Sequence, residues 1–419
     1  VIHQTLHDIE IICIDAGSTD GTRQIIENYE KLDNRVNLVD SPVRSYGYQV
    51  NMGIKEAKGE YISILETDDY VDEKAYEQLY RSACENGADY VKGNFEAIIE
   101  WDGHIVCNSQ CIFRDQSYYH HPIEGGDRKE LFLKDYNIWG GMYKKSLLDQ
   151  HNIKLNETAG AAYQDIGFKM MTLLYAKKIV YIDYSVYRYR YEREGCSSCN
   201  NNVLKFAWQE FDRLLNQMHL SEHINIKYVL LRMIDIFIYE HKKLVLKQAS
   251  EQQSNEFYEM YIEPYYLWFK EEIDKFLSEG MISLDDLSEY QRGNLLPLLE
   301  NERDYNLALV KAEKKKTECW DEVAAGIKNT QTVIVSYGAR GKTALRQLID
   351  RNVNVVAICD NDVEVRKQKV GIPVLSVEDA IAKYEKARFV ISNKKYRNEL
   401  EQQLIANGVC GQNIIQIDS

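Results

Sequence analysis

Short apolar runs alternate with helical patterns along the N-terminal part of the chain. The predicted elements are, in order, a strand at 9–14, a helix at 22–31, a strand at 36–39, a helix at 48–57, a strand at 61–65, a helix at 73–86 and a strand at 89–92. This alternation predicts a mostly parallel sheet covered by helices. Ligands bind such sheets beyond the carboxyl ends of the strands, so residues at those ends are the first candidates for function.

Two further patterns follow. Residues 201–318 contain long amphipathic helices, for example at 230–246 and 265–277. From Thr332 onward strands and helices alternate again, which predicts a second, smaller α/β unit. We therefore predict three domains, at 1–200, 201–318 and 319–419.

Length and charge narrow the classes of function. The 419 residues exceed the ~250 to 300 at which one core stops growing, in agreement with several domains. The net charge of −14 argues against nucleic-acid binding, which needs a basic surface. No apolar run reaches the ~18 to 20 residues of a membrane span, and the first residues lack the segments of a secretory signal. We expect a cytoplasmic protein that does not bind nucleic acid.

Nine cysteines, an odd number, favour reduced thiols over a disulfide framework. Two pairs, Cys107-x3-Cys111 and Cys196-x2-Cys199, would supply four thiolates for a structural zinc ion. The first spacing is loose and many residues separate the pairs. Buried or idle thiols are the simpler interpretation.

An acid followed by a glycine turn stands at the end of the first predicted strand. The segment runs Asp15-Ala16-Gly17-Ser18-Thr19-Asp20-Gly21-Thr22. Such a turn leaves a carboxylate and backbone amides at the ligand-binding edge of a sheet. A helix N-cap after any strand needs the same residue types, so a purely structural role is an equal alternative.

Three carboxylates follow the strand at 61–65, in Glu66-Thr67-Asp68-Asp69. They repel one another unless a cation lies among them. Mg²⁺ or Mn²⁺ with oxygen ligands would relieve the repulsion and bind pyrophosphate oxygens, neutralising charge on a departing nucleoside diphosphate. The alternative is a solvated acidic loop that caps the helix beginning near Asp72.

Four segments occur in a fixed order, namely 15–22, Asn51-x-Gly53, Ala57-Lys58-Gly59-Glu60-Tyr61-Ile62 and 66–71. Their order and spacing resemble the motifs of the family-2 inverting glycosyltransferases of the GT-A fold. The resemblance covers residues 1–200. It implies an α/β GT-A (nucleotide-diphospho-sugar transferase) domain with a mixed, mostly parallel sheet, followed by an α-helical segment and a small Rossmann-like α/β domain.

The resemblance also implies a donor site. Asp15, with Gly17 and Ser18 of the same turn and Asn51, is expected to bind the sugar nucleotide. Glu66-x-Asp68 corresponds to the family's Asp-x-Asp motif, which holds metal and ribose. Asp68 is therefore the expected ligand of Mn²⁺ or Mg²⁺.

The segment Tyr163-Gln164-Asp165-Ile166-Gly167-Phe168 resembles the family's helix-opening Glu-Asp pair. Asp165 is then the candidate base that removes a proton from the acceptor hydroxyl as that oxygen attacks the anomeric carbon. Without the family pattern, an N-cap of a helix over 166–175 is the favoured interpretation of Asp165.

Two segments, 137–143 and 156–160, resemble the family's acceptor side. Trp139 would stack against an acceptor sugar, and a buried core tryptophan is an equal alternative. Tyr187-Arg188-Tyr189-Arg190 with Ser197-Ser198 resembles the basic and serine segment near the diphosphate. The two arginines share one face of a regular strand, and Arg190, nearer the serines, is the expected phosphate ligand.

The chain departs from the family pattern at four positions. Ala16, Val50, Glu66 and Gln164 stand where most relatives have Asp, Arg, Asp and Glu. The chain also begins at what corresponds to the end of the family's first helix, without the first strand and its nucleotide-contacting turn. We therefore expect a fragment of a longer protein.

The second α/β unit opens with the segment 333–343, and Asp360 ends the next strand, where a ribose-binding acid would lie. The segment resembles a Rossmann fingerprint, but Arg340 and Thr343 occupy its second and third glycine positions. A P-loop is rejected because Ser336 replaces its first glycine. Nucleotide binding and a docking or assembly role are the alternatives.

The leading functional hypothesis, implied by the resemblance, is an inverting glycosyltransferase of bacterial surface polysaccharide synthesis. It would move a hexose from a UDP-sugar to a glycan or lipid-linked acceptor, and a lipid-linked acceptor implies peripheral association with the inner face of the membrane. Ala16 and Gln164 favour a sugar-nucleotide-binding scaffold without catalysis as the alternative. A third hypothesis is a dinucleotide-binding C-terminal enzyme.

Overall fold

The computed structural model describes residues 1–101, 104–158, 163–191, 200–217, 225–366 and 371–417, without the side chains of 99–101, 104–108, 191, 217 and 364. It contains two compact units. The first comprises residues 1–97 and 109–306, and the second comprises residues 98–108 and 307–419. The three-domain division stays a prediction.

The α/β part of the chain up to residue 200 contains the following elements. They are β1 (Ile11–Asp15), α1 (Thr22–Leu32), β2 (Val36–Asp40), α2 (Tyr46–Glu56), β3 (Tyr61–Ile62), β4 (Tyr70–Val71), α3 (Ala75–Asn86), β5 (Tyr90–Trp101), β6 (His104–Gln110), β7 (Pro122–Glu124), α4 (Lys129–Lys134), β8 (Gly141–Lys144), α5 (Lys145–Gln150), α6 (Ile166–Tyr175) and β9 (Lys178–Tyr191).

Helices follow up to residue 327. They are α7 (Val203–Asp212), α8 (Ile226–Ser250), α9 (Asn255–Tyr261), α10 (Glu263–Ser278), α11 (Glu289–Glu300) and α12 (Glu302–Ile327), and a turn of π-helix (Arg213–Gln217) continues α7. The long helices predicted at 230–246 and 265–277 correspond to α8 and α10.

The C-terminal part alternates again. Its elements are β10 (Thr332–Val335), α13 (Ala339–Ile349), β11 (Val355–Cys359), α14 (Val363–Arg366), β12 (Val374–Leu375), α15 (Val377–Lys383), β13 (Arg388–Ile391), α16 (Arg397–Ala406) and β14 (Ile414–Gln416). Strands and helices alternate here as predicted.

Two sheets form in the N-terminal part. Strands β1 and β2 pair in parallel, with Asp15 opposite Asp40. A larger sheet has the strand order β3-β8-β5-β9-β4, with β6 beside β5 and β7 beside β9. The pairs β3–β8, β5–β8, β4–β9 and β7–β9 are antiparallel. Helix α3 covers one face of this sheet through Ala75, Leu79 and Ala83, which are almost fully buried.

The C-terminal strands form a parallel sheet in the order β12-β11-β10-β13-β14. Residues from α12 and α13 pack on one face of this sheet, and residues from α15 and α16 pack on the other. Helices on both faces of a parallel sheet define a doubly wound layer. The mixed α/β fold class predicted from the alternation is confirmed.

Within the described residues, every helix is too short or too polar to cross a membrane.

Candidate active site

The turn after β1 is closed by the side chain of Asp15. This carboxylate is almost fully buried and accepts hydrogen bonds from the amide of Ser18, at 3.1 Å, and from its hydroxyl. Arg23 of α1 lies 3.4 Å from the other carboxylate oxygen. The hydrogen bond from the Ser18 hydroxyl is the main cause that lowers the pKa of Asp15. Gly17 has φ +81°, a conformation that glycine adopts without strain, so the chain can reverse here.

The same turn is held from the start of α2. Arg44 donates to the carbonyl oxygens of Ala16, at 3.1 Å, and Gly17, at 3.0 Å. These bonds reach main-chain oxygens, so they do not depend on the side chain at position 16. The predicted site residues Asp15, Gly17 and Ser18 therefore lie together in one rigid turn.

The second acidic cluster divides into two roles. Asp69 is buried and accepts hydrogen bonds from the Tyr187 hydroxyl and the Arg190 amide, each at 2.9 Å. It thereby ties the loop before β4 to β9. Asp68 is exposed beside it.

Glu66 faces the start of α2, where the hydroxyl of Tyr46 donates a hydrogen bond to its Oε1. The Tyr187 hydroxyl lies 3.2 Å from the Glu66 amide. Burial raises the pKa of Glu66 to about 7, although the Tyr46 hydrogen bond opposes this rise. The negative charge of Asp165 adds to the increase, so the structure brings the candidate base into the electrostatic field of Glu66.

Asp165 is the N-cap residue of α6, but its side chain makes no capping hydrogen bond to that helix. The capping interpretation of this carboxylate is therefore not what the structure shows. Burial, with a smaller contribution from the charge of Glu210, raises the pKa of Asp165 to about 6. A carboxylate with this pKa accepts a proton near neutral pH and releases it again, as a general base must.

Two amide side chains join α2 to the segment 155–164. Asn51 donates to the carbonyl oxygen of Leu155 at 2.9 Å and accepts from the Leu155 amide at 2.8 Å. Gln164 accepts from the amide of Gly47 at 2.8 Å and donates to the hydroxyl of Thr158 at 2.9 Å. Its side-chain amide also donates to the carbonyl oxygen of Thr158, which a glutamate at position 164 could not do. The role of Asn51 in nucleotide binding stays a prediction beside this observed clasp.

The ring of Trp139 packs against other aromatic side chains. It stacks on Tyr187, with 4.4 Å between ring centroids, and on Tyr189, at 5.1 Å, and it meets Phe95 edge to face. The ammonium group of Lys92 lies 5.3 Å from the ring centroid. These contacts give the half-buried Trp139 a packing role, and its contact with an acceptor stays a prediction.

The two arginines of β9 have different surroundings. Arg188 pairs with Glu96 at 3.1 Å and with Asp72 at 3.4 Å. Arg190 is held through its backbone amide by Asp69, next to the acidic loop. The contact of Arg190 with phosphate stays a prediction.

A fully buried charge cluster was not predicted from the sequence. Asp135 accepts from Lys169 at 3.0 Å, from Tyr90 at 2.7 Å and from Tyr181 at 3.1 Å. Lys92 lies 3.6 Å from the same carboxylate. Burial lowers the pKa of both lysines. The available signal was Lys169 inside the mostly apolar pattern of α6, with Lys92 near the start of β5.

Metal binding can be tested against the donors present. Among the described residues no group of three His, Cys, Asp or Glu side chains is close enough to enclose an ion. Mg²⁺ keeps several waters and is commonly bound through one or two carboxylates together with substrate phosphates. The exposed Asp68, with Glu66 nearby, fits that open type of site and not a closed protein cage.

The C-terminal loop after β10 is also closed by an acid. Asp360 accepts from the amides of Tyr337, at 2.7 Å, and Asp362, at 2.9 Å. Gly341 is required there, because an added Cβ would lie 2.0 Å from the carbonyl oxygen of Ser336. Ribose binding by Asp360 stays a prediction.

Several sequence predictions fall on residues that the structure does not describe. They are Ala159 and Gly160 of the acceptor segment, Ser197 and Ser198 of the serine segment, and the Cys196–Cys199 pair. The side chain of Cys107 is likewise outside the described part. In the described part, Cys13, Cys84, Cys111, Cys319, Cys359 and Cys410 are free thiols.

Several known proteins are similar to the N-terminal region of this chain. Similar proteins include the glycosyltransferase GlyG of Streptococcus pneumoniae, 32% identical over 199 residues, which are 45% of this chain and 64% of GlyG. The glycosyltransferase GlyA of the same organism is 26% identical over 203 residues, 47% of this chain and 28% of GlyA. A poly(ribitol-phosphate) beta-glucosyltransferase of Bacillus spizizenii is 33% identical over 200 residues, 46% of this chain and 30% of that protein. The chain thus spans less than two thirds of each of these relatives.

A solved structure gives a weaker likeness. Staphylococcus aureus TarS 1–349 in complex with UDP-GlcNAc has a TM-score of 0.48 and 16% identity, over 75% of this chain and 85% of that one. The family model described as Glycosyl transferase family 2 matches residues 1–148, which include Asp15, Asn51 and the acidic cluster. Residues 1–148 of this chain therefore match a glycosyl transferase family 2 domain.

Proposed function

We propose that this protein transfers a hexose from a UDP-sugar to a hydroxyl of a glycan or lipid-linked acceptor, with inversion at the anomeric carbon. The observation that carries the proposal is Asp165, a carboxylate at the start of α6 that does not cap its helix and has a pKa of about 6. Its charge acts on Glu66 of the motif expected to hold the donor. Single displacement requires a base that takes the proton of the acceptor hydroxyl, and Asp165 is the carboxylate proposed for that role.

In the proposed reaction, Asp165 accepts the proton of the acceptor hydroxyl while that oxygen forms the new bond to the anomeric carbon. The bond from that carbon to the diphosphate breaks on the opposite face, and UDP leaves. A bound Mn²⁺ or Mg²⁺ would supply charge neutralisation to the leaving diphosphate. Asp68 and Glu66 would hold the ion, and Asp15 and its turn would position the nucleotide.

The pathway is proposed from the relatives. One of them is named a poly(ribitol-phosphate) beta-glucosyltransferase and others are named glycosyltransferases of bacteria. Synthesis of a bacterial surface polysaccharide agrees with those names. A lipid-linked acceptor would place the reaction at the inner face of the membrane.

The test measures UDP release and sugar transfer by the protein with a panel of UDP-hexoses and Mn²⁺. Asp165→Ala should abolish transfer while UDP still binds, and Asp68→Ala should weaken Mn²⁺-dependent UDP binding. Unchanged turnover in both variants would refute the site assignment. UDP binding without turnover of any donor would favour the scaffold alternative, and an α-linked product from an α-linked donor would refute inversion.

A further inference from the structure

Gly167 lies in the first turn of α6, two residues after Asp165. Glycine is a weak helix former, so its presence inside a helix calls for a packing reason. A Cβ added to Gly167 would lie 2.0 Å from Oε1 of Glu210 and 2.3 Å from Nη2 of Arg213. Glu210 of α7 therefore occupies the space that a side chain at position 167 would fill.

Glu210 is itself held firmly. It is only 1% exposed, and it accepts hydrogen bonds from Arg213 at 2.5 Å and from the Asn156 side chain at 2.8 Å. The amide of Asn156 in turn lies 3.3 Å from the carbonyl oxygen of Gln164, the residue before Asp165. One carboxylate of the helical segment thus contacts both the first turn of α6 and the segment that leads into it.

A carboxylate at this place also has an electrostatic effect on α6. The N-terminal turn of a helix carries a partial positive charge that an acidic group stabilises. The N-cap residue Asp165 does not supply a capping hydrogen bond, whereas Glu210 places its carboxylate against that turn. The stabilising acid at the start of α6 therefore comes from α7, and the side chain of Asp165 is not committed to its own helix.

We propose that Glu210 is a positioning residue for Asp165, and that the helical segment after residue 200 is thereby part of the active site. This inference rests on the proposed role of Asp165 as the base. Glu210 holds the end of α6 that carries the base and does not contact the reacting atoms.

The charge of Glu210 acts on Asp165 even though Arg213 pairs with the Glu210 carboxylate. Glu210 raises the pKa of Asp165, whereas Lys169 of α6 and Arg232 of α8 lower it. The other titratable or charged groups that interact electrostatically with Asp165 are Glu66, Tyr46, Lys92, Tyr143 and Tyr163. Helix α7, through Glu210, thus raises the pKa of Asp165, and helix α8, through Arg232, lowers it.

The main experiment compares pH–rate profiles of Glu210→Gln, Arg232→Gln and the unaltered protein. Glu210→Gln removes a negative charge, so the acidic limb should move to lower pH by roughly 0.5 to 1 unit. Its kcat should fall about 10- to 100-fold because the base is less well positioned, while KM for the donor changes less than about twofold. Arg232→Gln should move the limb in the opposite direction. An unmoved acidic limb in Glu210→Gln, or an equal loss in donor KM and kcat, would overturn the proposal.

A second variant tests the geometry independently. Gly167→Ala should displace Glu210 and lower kcat, and combining it with Glu210→Ala should cost no more than Glu210→Ala alone, because both remove one contact. Gly293→Ala in α11 is the matched control, since nothing lies within 4 Å of its added Cβ. Additive losses in the double variant would overturn the inference. Gly167→Ala carries the same test if Glu210→Gln is too unstable to assay.

A measurement that does not require sugar transfer tests this inference separately from the proposed function. The pKa of Asp165 can be followed by ¹³C NMR of the aspartate carboxyl carbons, with Asp165→Asn assigning the signal. A lower pKa in Glu210→Gln supports the link between α7 and Asp165 even if no donor is turned over, an outcome that would refute only the proposed function. An unchanged pKa would refute the link.

Discussion

The hydroxyl of Tyr46 donates a hydrogen bond to Oε1 of Glu66 across the candidate donor site. Tyr46 opens α2, whereas Glu66 follows β3, so the bond joins two elements at one edge of the fold. It stabilises the ionised form of a carboxyl whose pKa burial raises to about 7. The Tyr46 hydroxyl therefore helps to keep Glu66 ionised near neutral pH.

Tyr46→Phe should raise the pKa of Glu66 further, because the hydrogen bond that favours the carboxylate is lost. At pH 7 less Glu66 is then ionised, and Mn²⁺-dependent UDP binding should weaken by up to about tenfold. Binding should recover at pH 8.5. Calorimetric titration with UDP and Mn²⁺ at both pH values measures this, with Tyr48→Phe as the control on the same helix. Equal weakening at both pH values would contradict it.

Asp165→Asn should stabilise the protein in a pH-dependent manner. The folded pKa of about 6 lies above the ordinary value of this carboxyl. At low pH the group is neutral in both states and costs nothing. As the pH rises through about 4 to 6 the unfolded chain ionises first, so the fold loses stability that the asparagine variant keeps. The variant should gain ~1 to 3 kcal/mol at pH 7.5 relative to pH 4, discounted for partial exposure. Urea unfolding at the two pH values checks this, and an equal difference at both would refute it.

Asp69→Ala and Asp68→Ala should separate structure from binding. Asp69 accepts from Tyr187 and Arg190, so its loss leaves two donors unpaired and should cost ~2 to 4 kcal/mol of unfolding free energy. Asp68 is exposed, so Asp68→Ala should lower the free energy of unfolding by less than ~0.5 kcal/mol. Urea unfolding followed by tryptophan fluorescence compares them. Equal destabilisation would show that the division of roles within the loop is wrong.

Asp135→Asn should destabilise the first unit strongly. It removes the carboxylate shared by Lys169 and Lys92, both fully buried, and such uncompensated charges cost ~3 to 5 kcal/mol. Asp149→Asn is the matched control, because its ion pair with Lys145 is at the surface and is worth ~0 to 1 kcal/mol. A small effect of Asp135→Asn on urea unfolding would mean that one lysine is neutral in the fold.

Ser336→Gly should stabilise the C-terminal unit. Ser336 has φ +73°, a left-handed conformation that costs a non-glycine residue ~1 to 2 kcal/mol. Glycine removes that cost but adds entropy to the unfolded chain, so a net gain of ~0.5 kcal/mol is expected. Differential scanning calorimetry would detect it as a higher Tm. A lower Tm would show that the Ser336 hydroxyl contributes more than the backbone relief.

Local patterns were sufficient to predict many elements and the residues of the two acidic turns. Helix α6 has the predicted bounds, and Asp15 and Glu66 do follow strands, because these features depend on neighbouring residues. Strand β3 ends at Ile62, earlier than predicted, and the next residue, Ser63, donates its hydroxyl to the carbonyl oxygen of Gly141. A bond to a residue so distant in sequence leaves no local pattern.

The alternatives left open at Asp165 and Trp139 depend on contacts of that distant kind. Whether Asp165 caps α6 is decided by side-chain direction, which residue type does not encode. Trp139 is surrounded by Tyr187 and Tyr189 of a strand far along the chain. In the sequence, Gln164 was interpreted as the loss of a carboxylate. The structure shows that its side-chain amide both accepts from Gly47 and donates to Thr158.

The clasp of Asn51 on both backbone groups of Leu155 has a consequence for motion. Because of these side-chain bonds to the main chain, α2 and the segment around residue 155 cannot separate without leaving partly buried polar groups unpaired. They should open in one cooperative step. In hydrogen–deuterium exchange the amides of Gly47 and Leu155, more than a hundred residues apart, should become labelled at the same rate and slow down together when nucleotide is added.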